Sequence, residues 1–156
     1  MRHWHYIEPL DVSFGITPKC GVHSLKHWLS ERWGYSQHSE PLGSSFIFIC
    51  RNPVARFKSL WKFCSRDNQG HGKGQNPMLG LTPKELIEHI ETSAPTEWTM
   101  TQSSALGNVK ASIVRIENAG LPVKNKTQGD VSLSKDVVDR VLRFYDADVS
   151  LYKEAV

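Results

Sequence analysis

Ser45-Phe46-Ile47-Phe48-Ile49-Cys50-Arg51-Asn52-Pro53-Val54-Ala55-Arg56-Phe57-Lys58-Ser59-Leu60-Trp61 is the stretch on which the fold turns. Its first six residues are a near-continuous apolar run, which suits a strand buried on both faces of a parallel sheet. Pro53 stands where a helix begins, because its fixed φ and missing N–H cost nothing in a first turn. Val54, Phe57, Leu60, Trp61 and Cys64 then mark one apolar helical face. A strand that feeds straight into a helix is the unit from which α/β domains are built.

The same succession occurs upstream. Asp11 to Ile16 carries β-branched and aromatic residues and stops at Thr17-Pro18, where proline excludes a continuing central strand. From Val22 the apolar positions Leu25, Trp28, Leu29 and Trp33 recur at helical spacing, and Gly34 is the stop. Downstream, Asp67 to Gly80 is rich in glycine and polar residues and predicts a loop over a surface or an active site. Thr82-Pro83-Lys84-Glu85 has the N-cap, first-turn proline and N3 carboxylate of a helix start, with Leu86, Ile87 and Ile90 behind it. Ala111 to Ile116 predicts a third short strand. Ser134 caps a last helical region through Val137, Val138, Val141, Leu142 and Tyr145, which resumes after a break toward Val149 and Tyr152. The expectation is an α/β fold: one domain over residues 1–156, with a small parallel β-sheet flanked by helices.

Bulk properties narrow the function. With 39% of 156 residues apolar and 22% charged, the chain has material for one compact core and no bias toward disorder. A net charge of +3 suits an anionic ligand and is too small to call for nucleic acid. Cys20, Cys50 and Cys64 form an odd set without C-x-x-C spacing, which argues against a disulfide framework or a zinc knuckle and predicts reduced thiols in the cytoplasm. The longest apolar run, Phe46 to Cys50, is far below the roughly 20 residues that span a bilayer, and no apolar secretory segment opens the chain. The expectation is a soluble, unexported protein without a membrane partner, in which the Asn125-Lys126-Thr127 sequon is a chance match.

Two segments carry chemistry. Thr17-Pro18-Lys19-Cys20-Gly21-Val22-His23-Ser24 joins a strand to a helix, where backbone N–H groups and the helix dipole converge on an anion. Gly21 permits close backbone approach, Ser24 offers a hydroxyl and Lys19 a cation. The order is not that of a Walker A loop, and the segment alone reads equally as a connecting turn. Arg51 emerges at the end of the second strand, the sheet edge at which α/β proteins bind ligands, and it is placed to hold a second anion bidentately with Ser59 in support. Taken singly, Arg51, Arg56 and Lys58 also read as a solvated basic face.

Together, Pro18-Lys19-Cys20-Gly21-Val22-His23-Ser24 and Arg51-Asn52-Pro53-Val54-Ala55-Arg56-Phe57-Lys58-Ser59-Leu60-Trp61 resemble the phosphate sites of the sulfotransferases that use 3′-phosphoadenosine 5′-phosphosulfate (PAPS), particularly the carbohydrate sulfotransferase branch. That family has Pro-Lys-x-Gly-x-Thr-Ser for the 5′-phosphosulfate and Arg-[Asp/Asn]-Pro-x-x-Arg-x-x-Ser-x-[Tyr/Trp] for the 3′-phosphate. Glu97-Trp98-Thr99-Met100-Thr101-Gln102 resembles its His-Trp-x-x-Gln stretch, Val114-Arg115-Ile116-Glu117-Asn118 its Arg-Phe-Glu-Asn strand end, and Tyr145-Asp146-Ala147-Asp148 its Tyr-x-x-Asp. His23 departs from the family's threonine and Glu97 from its histidine.

The resemblance implies a P-loop-like domain that moves a sulfuryl group from PAPS to an acceptor hydroxyl or amine, leaves the bisphosphate PAP and requires no metal. Pro18 through Ser24, Arg51 and Ser59 are then the PAPS contacts, and Lys19 stabilises the leaving phosphate. The acceptor is a small molecule or carbohydrate. The chain is short for that family, which points to reduced acceptor-binding elements or to a homo-oligomer whose second subunit supplies them. A general base is also needed: His38, ahead of the Ser45 to Cys50 strand, is the first candidate, with Glu40 and Glu97 as alternatives. His23 with His27 and His3 with His5 have metal-like spacing, yet no carboxylate or cysteine spacing completes a site. The rival readings are a nucleotide or small-molecule kinase, which lacks its Walker lysine here, and a non-catalytic PAP- or nucleotide-binding module.

Overall fold

The computed structural model describes residues 3–65, 77–122 and 131–156. Most of the expected loop from Asp67 to Gly80, with His71, and the Asn125 sequon lie outside the described residues. Five strands form one sheet: β1 (Trp4–Ile7), β2 (Val12–Ile16), β3 (Ser36–His38), β4 (Ser45–Cys50) and β5 (Ser112–Arg115), in the order β3-β1-β2-β4-β5. Strand β4 runs parallel to both β2 and β5, whereas β1 is antiparallel to β2 and to β3.

The expected all-parallel sheet is therefore corrected to a mixed one within an α/β architecture. The cause is the hairpin that joins β1 to β2. Glu8-Pro9-Leu10 forms a single 3-10 turn closed by Asp11 at φ 52°, and the Asp11 carboxylate then accepts from the Tyr6 hydroxyl at 2.9 Å and the Ser44 N–H at 3.1 Å. A turn this short can only return the chain antiparallel.

Strand alternation divides the apolar residues between the two faces. Trp4, Phe48 and Cys50 pack with Leu106, Leu151 and Ala155, from α4 (Gln102–Leu106) and from α6 (Asp146–Glu154) and the residue after it. Ile7, Ile16 and Ile49 pack instead with Leu25 and Leu29 of α1 (Val22–Arg32). Gly15 faces Trp4 and Phe48 so closely that a Cβ would lie 2.6 Å from the Phe48 ring. A third cluster joins α2 (Pro53–Ser65), α3 (Pro83–Thr92) and α5 (Lys135–Phe144) through Phe57, Leu60, Leu86, Ile87, Ile90, Val137 and Val141. The start of α3 is the capping box expected from its sequence: Thr82 Oγ1 accepts from Glu85 N–H, and the Glu85 carboxylate accepts from Thr82 N–H at 2.8 Å. Ser134 caps α5 through its side chain alone, which accepts from Val137 N–H at 3.4 Å.

His5 is a buried imidazole within β1 whose partners fix its neutral form. The Gln37 amide donates to Nε2 at 3.1 Å, so Nδ1 carries the hydrogen directed at Phe14 O, 3.4 Å away. Burial and then the Lys26 charge push its pKa down from 6.5 to about 4. The unfolded chain therefore takes up this proton first. Stability present above pH 6.5 is lost as pH falls toward about 4, by on the order of 3 kcal/mol. Urea unfolding at pH 7 and pH 4.5 should show that loss, and His5→Phe should flatten it.

Candidate functional site

The C-terminal ends of β2 and β4 lie side by side, with Ile16 in register with Ile49, so the segments that follow them meet at one edge of the sheet. From Thr17 the chain turns sharply, with Cys20 N–H donating to Thr17 O at 3.2 Å. Lys19 adopts φ 66° and Gly21 φ 93°. Gly21 is required by its left-handed backbone; a Cβ there would meet only the tip of the Ile116 side chain, at 2.8 Å. At Lys19 the left-handed conformation costs a non-glycine residue about 1 kcal/mol, and it is held by bonds to its neighbours. Arg51 Nη1 donates to Lys19 O at 2.8 Å, and Arg56 Nε donates to Pro18 O at 3.2 Å.

The two helix starts differ. α1 begins at Gly21 with no side-chain cap among the described residues, and its first internal bond runs from Leu25 N–H to Gly21 O. The N–H groups of Val22 and His23 thus lie in a first turn without a side-chain cap, the kind of helix start that attracts anions. α2 is capped: Asn52 Oδ1 accepts from Val54 N–H at 3.0 Å and Ala55 N–H at 3.2 Å. An anion beside α2 must be held by side chains, and the half-buried Arg51 and Ser59 are the ones the sequence offers.

A buried polar network lies beneath both segments. Arg56 is only 4% exposed and does not belong to a solvated basic face. Besides Pro18 O, its guanidinium donates to Met100 O at 2.7 Å and Trp98 O at 3.3 Å, while the Tyr145 hydroxyl donates to Thr99 O at 2.8 Å. Gln102 is fully buried. Its amide clamps the backbone of Arg51, accepting from Arg51 N–H and donating to Arg51 O, both at 2.8 Å, and its Oε1 also accepts from the Cys20 thiol at 3.1 Å. Asp148, equally buried, accepts from the N–H groups of Gln102 and Ser103, each at 2.9 Å, and from the Ser103 hydroxyl at 2.7 Å. Cys20 therefore turns its side chain inward, and burial pushes its thiol pKa up.

Lys19 Nζ lies 4.3 Å from the centroid of Phe63 and 5.8 Å from that of Trp98, whose rings stack 5.1 Å apart with planes 9° from parallel. His23 is exposed at the first turn of α1, and Ser24 is buried behind it. His38 ends β3 level with Trp4 and Gly15, at the same end of the sheet but two strands from β2, a separation of about 10 Å at ordinary interstrand spacing. Its Nε2 pairs with Ser36 Oγ at 2.7 Å. Glu40 is exposed beyond it, and Glu97 is exposed next to Trp98.

Sequence reasoning missed His3 as a member of this neighbourhood. His3 O accepts from Ile16 N–H at 3.0 Å, which sets the residue against the end of β2 where the loop begins. Among the described residues, its Nε2 is the buried side-chain nitrogen or oxygen without a hydrogen-bond partner. A strand at Trp4–Ile7 would have revealed its place, but the four residues carry no hydrophobic alternation. Also among the described residues, no group of three or more His, Cys, Asp or Glu side chains is arranged to hold a metal ion, and no helix is long and apolar enough to cross a membrane.

Arg56→Met would leave the carbonyls of Pro18, Trp98 and Met100 without their donor, at an expected cost of about 3 kcal/mol in urea unfolding. An unchanged midpoint would show that the guanidinium does not hold the loop. In comparison with known proteins, the chain matches no family model, no curated protein and no solved structure.

Proposed function

We propose that this chain is a sulfotransferase that moves a sulfuryl group from PAPS to the hydroxyl or amine of a small-molecule or carbohydrate acceptor, releasing PAP. One observation carries the reading: two basic strand-to-helix segments leave neighbouring parallel strands at the same end, tied by the Arg51–Lys19 bond of 2.8 Å. A ligand with two separated anionic groups suits that arrangement better than a single phosphate does. Further support comes from the residues that carry the family resemblance. Arg56, Trp98, Gln102, Tyr145 and Asp148 are scattered along the sequence yet belong to one network beneath the site.

In this reading the 5′-phosphosulfate lies on the N–H groups of the Gly21 to Ser24 turn in a P-loop-like manner, with Pro18 and Cys20 shaping the turn. Arg51 and Ser59 take the 3′-phosphate. The acceptor's lone pair attacks sulfur in line with the departing oxygen, the S–O bond to the 5′-phosphate breaks, and its electron pair leaves on PAP. Lys19, whose ammonium rests against the aromatic pair, offsets the charge that develops on that oxygen. Uncapped backbone donors and a fixed guanidinium need little rearrangement as charge shifts, which is the requirement for electrostatic catalysis.

Calorimetric titration with PAP tests the assignment. Micromolar binding is expected, unaffected by an excess of ATP and weakened at least tenfold in Ser59→Ala and Arg51→Ala, since a lost bond to a charged group costs about 1.5–3 kcal/mol. Equal preference for ATP would favour the kinase reading, and absence of PAP binding would remove the sulfotransferase one.

A further inference from the structure

We propose that His3 receives the acceptor's proton, so that the catalytic base of this site comes from the residue that leads into the first strand of the sheet. The inference rests on the sulfotransferase reading. Three observations carry it. His3 is 93% buried, and its Nε2 has no hydrogen-bond partner among the described residues. A buried unpaired nitrogen is costly, and such atoms are retained where a ligand or reaction uses them. Its backbone is bonded to Ile16, one residue before the loop. Among the charges that act on it are two groups that frame that loop: Glu97 beside Trp98, and Arg56, which grips Pro18 O.

The chemistry of the pair fits the task. Burial holds the imidazole below its ordinary pKa, so it is neutral and able to accept a proton near neutral pH, while the Glu97 carboxylate acts the opposite way and stabilises the imidazolium once it forms. As the acceptor oxygen bonds to sulfur and the S–O bond to PAP breaks, the acceptor's O–H proton passes to Nε2. Release of that proton once PAP and the product have left restores the neutral base. Glu97 thereby acts on His3 through its charge alone, while His38 stays two strands from β2 on its bond to Ser36.

The test uses the whole chain with PAPS and PAP as probes, and water as acceptor in the slow hydrolysis of PAPS. His3→Gln should lower hydrolysis about 100-fold or more while the PAP dissociation constant stays within about twofold. In wild-type protein with 15N-labelled histidine, the His3 Nε2 resonance should move on adding PAPS and not on adding PAP, since only PAPS brings the sulfuryl group. That measurement needs no variant to fold. Undiminished hydrolysis by His3→Gln, or identical His3 spectra with PAP and PAPS, would overturn the assignment while leaving the sulfotransferase reading intact. Failure of the wild type to bind PAP would overturn both.

Discussion

The guanidinium of Arg56 lies in the protein interior against the carbonyls of Pro18, Met100 and Trp98. A buried cation is tolerated only when its hydrogens are matched, and here the matching oxygens come from two stretches of chain about 80 residues apart in sequence. That constraint fixes the site. It holds the Thr17 to Gly21 turn against the 98–102 segment, brings Trp98 beside Phe63, and so supplies the aromatic surface on which the Lys19 ammonium rests. Gln102 and Asp148 extend the same logic. The Gln102 amide imitates a strand partner for Arg51 just past the end of β4, and the Asp148 carboxylate holds Gln102 in place.

Such a network leaves little freedom to the backbone where precision matters. Lys19 is kept in a conformation that a non-glycine residue avoids, and Gly21 supplies the left-handed backbone that follows it. The two helix starts are prepared for different work. α1 begins without a side-chain cap, while Asn52 caps the first turn of α2. In the proposed reading, one subsite takes a phosphate by backbone and dipole and the other by a guanidinium, a division that would distinguish two anions on one ligand.

Much of the framework was legible in the sequence because its signals are local. The apolar run Phe46 to Cys50, the stop at Thr17-Pro18 and the capping box at Thr82 each act within a few residues, and each appears in the structure where the pattern put it. Strands β1 and β3 were not legible. Trp4-His5-Tyr6-Ile7 has no clean apolar alternation, and Ser36-Gln37-His38 is polar throughout; both are strands because the Asp11 turn and the β2 edge make them so. In the candidate site, the turn from Thr17 to Gly21 could be placed between strand and helix from its sequence. The inward turn of Cys20 and the structural use of Arg56 could not, since their partners are set by tertiary folding rather than by spacing. His3 was hidden for the same reason: only the register of β1 brings it to the loop.

The most direct test of the central claim is a crystal structure of the protein with PAP bound. The account predicts the 5′-phosphate on the N–H groups of Gly21 to Ser24 and the 3′-phosphate between Arg51 and Ser59, with the Arg56 and Gln102 bonds unchanged. PAP bound elsewhere, or seated with its 3′-phosphate away from Arg51, would contradict it.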